Sequence, residues 1–381
     1  MPSARRLALA AVTASAIVVT LAPVAGAHGS NGPHKPGWSR TLTTDVLMPF
    51  GLALDNQGKV LVADGAKNTV FRLDGSTLTP LAQGLAKPGA DVAGVDVADD
   101  GSWAYTTSAA EEFTHTAAQL VIKKDGKPDV VADILAYETA KNPDKAKTYG
   151  LPAGNDCADG RAWLEQATGG PATYTGLVDS HPYAVASLGH GSWAVADAGA
   201  NAIFKVDAAG KVSTIAVLPP QKTVLTTALL AAVTPPGAPA APACLDGLTY
   251  GFEAVPTDVE LGPLGQLWVS TLPGGPEDPS FGARGSVYLV NPWSGWSTRL
   301  ATGFAGATNL AVTSTGTVYV AELFGGKITQ MTWWGKKSTF KTLESPLAVE
   351  VDRTSVYAAT LGLDLEAGAP NGKGKIVQYA R

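Results

Sequence analysis

Short runs of alternating apolar and polar residues recur along this chain, each split by a tight turn that carries Gly or Asp. The unit opens at Pro49 (PFGLALDNQGKVLVAD) and returns at Val92 (VAGVDVADDGSWAYTT), Pro182 (PYAVASLGHGSWAVAD), Pro256 (PTDVELGPLGQLWVST), Ala307 (ATNLAVTSTGTVYVAE) and Pro346 (PLAVEVDRTSVYAAT). The runs keep period two, are rich in Val, Tyr and Trp, and end in turn residues, as half-buried antiparallel strands do. Two more strands complete each unit, and helical periodicity is nearly absent from them. A lone four-stranded sheet cannot cover both its faces. Radial stacking of the units covers every face and leaves only short, protected edges. The six starts therefore predict an all-β fold, a six-bladed β-propeller. The last unit runs through Ile376–Tyr379 and stops one strand short, while Thr41–Leu47 stands unclaimed ahead of the first unit. The ring is expected to close by that N-terminal strand joining the last blade.

Extra length is unevenly placed. Turns between strands one and two (55–58, 99–101, 189–191, 313–316) and between strands three and four (124–126, 207–210) are short. Long segments join one blade to the next (about 134–181 and 219–255) or strand two to strand three (about 272–285 and 361–374). In an antiparallel blade these two connection types emerge together, so one face is trimmed and the other elaborated. Loops on a rigid scaffold are where function usually sits.

The N-terminus and composition narrow the class. Arg5-Arg6, the uncharged run Leu7–Leu21 and the small residues Ala25-Gly26-Ala27 have the three-part layout of a secretory signal peptide. Residues 1–27 are set aside on that ground, residues 28–40 read as a flexible leader, and 41–381 form the single propeller. The expected location is secreted, extracellular or associated with the cell envelope. Losing Arg5 and Arg6 takes the formal charge from −5 to −7. Such acidity without a Lys/Arg block argues against nucleic acid or anionic lipid as partner. No later stretch is long and apolar enough to span a membrane. Cys157 and Cys244 lie in the two large insertions, and two cysteines of an exported chain usually pair, so a Cys157–Cys244 disulfide is expected.

The junction Tyr137-Glu138 … Asn142-Pro143-Asp144, the later Ser180-His181-Pro182-Tyr183, and the run Ala194–Ala202 resemble the ScyD/ScyE family. So do Val255-Pro256-Thr257-Asp258 and Gly303-Phe304 … Tyr319-Val320-Ala321-Glu322. These are exported, NHL-like propellers named after genes clustered with biosynthesis of the pigment scytonemin. The resemblance covers roughly 41–381 and implies export and fold, but no settled reaction. His181 stands where the family usually has Asn, and Asp258 where Ser is common.

There is no G-x-S-x-G elbow, H-E-x-x-H, C-x-x-C or Walker loop. Gly368–Lys373 reads as a solvated turn and Asp96–Gly101 as a hairpin turn. Trp103, Trp193, Trp268 and Tyr319 recur early in strand two and read as inter-blade core. Aligned first strands give a third column of Gly51, Gly94, Ala184, Asp258, Asn309 and Ala348, and a fifth of Ala53, Asp96, Ala186, Glu260, Ala311 and Glu350. Period two puts both columns on one side, taken as the axial channel. Strand two ends in Asp64, Thr107, Asp197, Thr271, Glu322 and Thr360, near the elaborated mouth. The candidate ligand-binding set is Asp64, His181, Asp197, Asp258, Asn309 and Glu322, with Asp96, Glu260 and Glu350 in the channel. Oxygen ligands such as Asp258, Asn309 and Glu260 suit a hard divalent cation such as calcium. Two functions remain open. One is a scaffold binding a small molecule, glycan or extracellular protein on the elaborated face. The other is a metal-dependent hydrolase of the lactonase kind, with a cation at the channel mouth.

Overall fold

A computed structural model of the protein describes residues 37–112, 114–154, 156–234, 237–276 and 282–381. The expected signal peptide and most of the leader lie outside the described residues. Each repeat forms a four-stranded antiparallel sheet. The first strands are Pro49–Leu54, Ala90–Val97, Pro182–Gly189, Pro256–Leu261, Ala307–Val312 and Pro346–Val351. In the sixth sheet the order is Pro346–Val351, Ser355–Thr360, Lys375–Ala380 and then Ser39–Thr43. The N-terminal strand thus supplies the missing edge, pairing Ser39 with Tyr379 and Thr41 with Val377. It starts and ends earlier than the expected 41–47. The reason lies at Leu47 and Met48, whose N–H groups are drawn to Asp64 of the first sheet, so 44–48 serve as the crossing.

None of these sheets closes on itself, and no strand pairing joins one repeat sheet to the next among the described residues. They meet face to face. First strands lie side by side in sequence order, and the sixth also packs against the first. Apolar clusters fill each of these interfaces. Trp193 and Trp268 are wholly buried in them, as their periodicity anticipates. Five first strands slip register between their first and third residues, for instance between Pro49 and Gly51 and between Pro256 and Asp258. Such a bulge re-aims the extra residue and bends the strand.

The two large insertions are not simple loops. They contain the α-helices of the described residues: α1 (Ile134–Lys141), α2 (Ala158–Thr168) and α3 (Thr227–Val233). Their short strands Thr173–Thr175, Thr148–Gly150, Thr249–Phe252 and Gln221–Val224 combine, in that order, into a further four-stranded sheet. A small core of its own, with Leu151, Leu164, Leu225, Leu245 and Phe252, holds this unit together. Cys157 and Cys244 are bonded within it, with Cα atoms 5.5 Å apart. Period-two reading missed these strands because they are only three or four residues long.

Candidate functional site

Three of the expected ligand residues accept backbone N–H groups. Antiparallel pairing sets Asp64 opposite Pro49, Asp197 opposite Pro182 and Glu322 opposite Ala307. Asp64 accepts the N–H groups of Leu47 and Met48, both at 2.9 Å. Asp197 accepts His181 N–H at 2.8 Å, Ala200 N–H at 3.0 Å and the Ser180 hydroxyl at 2.6 Å. Glu322 accepts Ala305 N–H at 2.7 Å and the Thr329 hydroxyl. Burial pushes the carboxyls of Asp64 and Asp197 upward. The bulged residues Phe50, Tyr183 and Leu347 meet Leu323, Leu361 and Leu363 in one apolar cluster at this end of the first strands. The Phe50 and Tyr183 rings lie 5.2 Å apart. The carboxylates of Asp64, Asp197 and Glu322 are thus committed to neighbouring backbone and hydroxyl groups, with an apolar cluster packed at the same end of the first strands.

The polar first-strand residues form staples between consecutive sheets. Asp258 accepts Leu310 N–H at 2.7 Å, Asn309 accepts Val349 N–H at 2.8 Å, and Asp96 accepts Ser187 N–H at 2.6 Å. Gly94 shows how close these strands run, since a Cβ there would lie 2.6 Å from Ala184 Cα. Asp96, Glu260 and Glu350 come from the second, fourth and sixth repeats, with alanine at the same position of the others. Desolvation, then repulsion from the neighbouring acids of this group, pushes Asp258 and Glu350 up to about 8 and Glu260 well above its ordinary value, while desolvation, with Asp99 adding to it, pushes Asp96 up to about 6. Among the described residues no three His, Cys, Asp or Glu side chains are gathered as metal ligands.

His181 does find polar company. Its Nε2 lies 3.6 Å from Asp91 Oδ2, and its ring stacks on His115 at 4.7 Å between centroids. His115 Nδ1 meets Asp179 Oδ1 at 2.8 Å, and the Ser108 hydroxyl donates to Asp91 Oδ1 at 2.7 Å. Two carboxylate–imidazole pairs are thus stacked where the second sheet, the first insertion and the third sheet meet. Burial opposes charge here, yet the imidazoles more than offset it and hold Asp91 and Asp179 below the usual carboxylate range. Burial likewise works against the His181 imidazolium, but Asp91, Asp197 and Asp179 raise its pKa overall. The Asp179 side chain is 38% exposed and that of His115 13%, so the upper pair reaches solvent on the elaborated face. Sequence reading found His181 but missed Asp91, His115 and Asp179. The scarcity of histidine, five in the chain, was the signal available.

No family model and no curated protein matches the chain. Solved structures do. An oxidoreductase (glucose dehydrogenase) from Thermus thermophilus is 14% identical with a TM-score of 0.54, covering 90% of this chain and 99% of that one. The PQQ-bound aldose sugar dehydrogenase from Streptomyces coelicolor is 15% identical with a TM-score of 0.52, covering 91% and 99%. A virginiamycin B lyase from Staphylococcus aureus gives 15% identity and a TM-score of 0.45 over 85% and 81%. At such identities the likeness concerns the fold alone. The protein is an all-β chain of four-stranded antiparallel sheets with a β-propeller-like fold.

Proposed function

We propose that the mature chain is an exported six-bladed propeller, closed by its N-terminal strand, that works as a binding scaffold. Its ligand site is the stacked His115–Asp179 and His181–Asp91 pairs on the elaborated face. Six repeat sheets, the contact between sixth and first strands, and the pairing of Ser39–Thr43 with Lys375–Ala380 support the closed ring. The disulfide and the resemblance to ScyD/ScyE proteins support export. No helix of the described residues is long and apolar enough to cross a membrane. The observation that carries the binding reading is the part-exposed imidazole–carboxylate stack beside a co-folded insertion. Such pairs offer donors and acceptors side by side, as the hydroxyl groups of a glycan require. Probing a glycan array with the mature protein tests it. Signals are expected with wild type and lost in His115→Ala with the fold retained, as read by circular dichroism. No signal, or the same profile from both proteins, overturns it. The crowded channel carboxyls favour a second reading, metal-dependent lactone hydrolysis. Turnover that needs added calcium and disappears in Glu260→Gln would replace binding by catalysis.

A further inference from the structure

Helix α1 turns Ile134 and Glu138 inward, one helical turn apart, and Glu138 is fully buried. Among the described residues neither carboxylate oxygen of Glu138 has a hydrogen-bond partner, and the same holds for Asp144 Oδ1 and Asn142 Oδ1. The other ends of these side chains are committed. Asp144 Oδ2 accepts the Tyr149 hydroxyl at 3.0 Å and the Asn201 amide at 3.2 Å, while the Asn142 amide donates to Gly176 O at 3.0 Å. Every orphaned atom is an acceptor. Burying such oxygens without a donor or a cation is costly.

The surroundings deepen the negative potential. Asn142 caps α1 in the left-handed region at φ 38°, its N–H bonded to Glu138 O at 2.7 Å, so the group sits at a helix C-terminus, which favours cations. Burial first, then the charges of Asp197, Asp144 and Asp179, pushes Glu138 up to about 8. Gly176 leaves the space open, since a Cβ there would lie 1.9 Å from Asp144 Oδ1.

We propose that Glu138, Asn142 and Asp144 form a binding site for a hard divalent cation, calcium in the first place. Two carboxylates and an amide oxygen are a set that calcium accepts and softer metals do not prefer. Because the third donor is an amide, the set contains no trio of His, Cys, Asp or Glu. The ion would tie α1 to the segment that follows it and, through Asp144 and Asn201, to the third repeat sheet. It would fix the elaborated face without entering the channel. The site is independent of the glycan reading.

The test uses the full mature protein freed of metal by a chelator. Calcium is titrated calorimetrically, and terbium luminescence is excited through tyrosine, with Tyr149 beside Asp144 as antenna. One ion per chain is expected, with a melting temperature that calcium raises and chelator lowers. Glu138→Gln should lose at least ~100-fold in calcium affinity and most terbium emission, since the site gives up a charge. Asn142→Asp should bind calcium ~10-fold tighter or more by the same logic, and it keeps the test open if Glu138→Gln does not fold. Asp258→Asn should leave calcium affinity and terbium emission unchanged. No calcium or terbium response in wild type overturns the site. So does an unchanged affinity in Glu138→Gln or Asn142→Asp, or a response lost only in Asp258→Asn.

Discussion

Asp64 holds two backbone N–H groups that no ladder reaches. Leu47 and Met48 precede Pro49, which has no N–H to offer, and the bulge beyond it breaks the pairing again. Asp197 repeats the arrangement before Pro182. Removing such an acid strands buried donors, at a cost of about 1–3 kcal/mol each. Asp64→Ala is therefore expected to lose about 2–5 kcal/mol in urea unfolding, and Asp64→Asn less, because one acceptor oxygen remains. A loss below about 0.5 kcal/mol for Asp64→Ala would show that the clasp contributes nothing. Aromatic residues also divide by position. Trp193 and Trp268 fill sheet interfaces, whereas Trp293 and Trp334, on third-to-fourth turns of the trimmed face, are 80% and 85% exposed.

Insertions 134–181 and 219–255 are far apart in sequence and meet as one small sheet whose strands are too short to stand alone. The Cys157–Cys244 bond spans 87 residues, which include the whole third repeat sheet. In the chain-entropy account, closing a loop of that size is worth about 4–5 kcal/mol. The unit has its own core, so the bond and that core share the task of holding it in place. Replacing both cysteines by serine is expected to lower the unfolding free energy by up to about 4–5 kcal/mol. Amide exchange should rise first in 148–175 and 221–252, with the repeat sheets still protected. Uniform loss of protection across all sheets, or no loss of stability, would contradict this division. Thiol titration of the denatured, unreduced protein should find no free sulfhydryl.

At the scale of the whole molecule, the buried first-strand acids make stability depend on pH in an unusual sense. Asp96, Asp258, Glu260 and Glu350 bind protons more tightly when folded than their ordinary values near 4 allow. Between about pH 4 and pH 8 the folded chain keeps protons that the unfolded chain releases, so stability falls as pH rises through that window. Glu138 and His181 act in the same direction. Asp91 and Asp179 act in the opposite one, but only below about pH 4. In chelator, the melting temperature is expected to drop by several degrees from about pH 5.5 to about pH 8.5, and Glu350→Gln should flatten the drop. A melting temperature that rises over this range would refute the shared cause.

The sequence alone determined the repeat sheets, their order and the N-terminal strand that completes the last one. Period-two burial is local, and PFGLALDNQGKVLVAD states it without reference to anything distant. The inward Trp193 and Trp268 followed from the same period, and the disulfide from having only two cysteines. Which way the polar residues serve was decided by tertiary structure. Asp64, Asp197 and Glu322 have the composition of a ligand ring, but neighbouring chain segments bring N–H groups to them. Asp258 and Asn309 spend their oxygens on the next sheet. His115 and His181 stand 66 positions apart and Glu138 lies on a helix between them, so their assembly rests on how one insertion folds back across two sheets. No local period records such long-range contact, because the energy that fixes it comes from burial and pairing between segments that only the folded chain brings together.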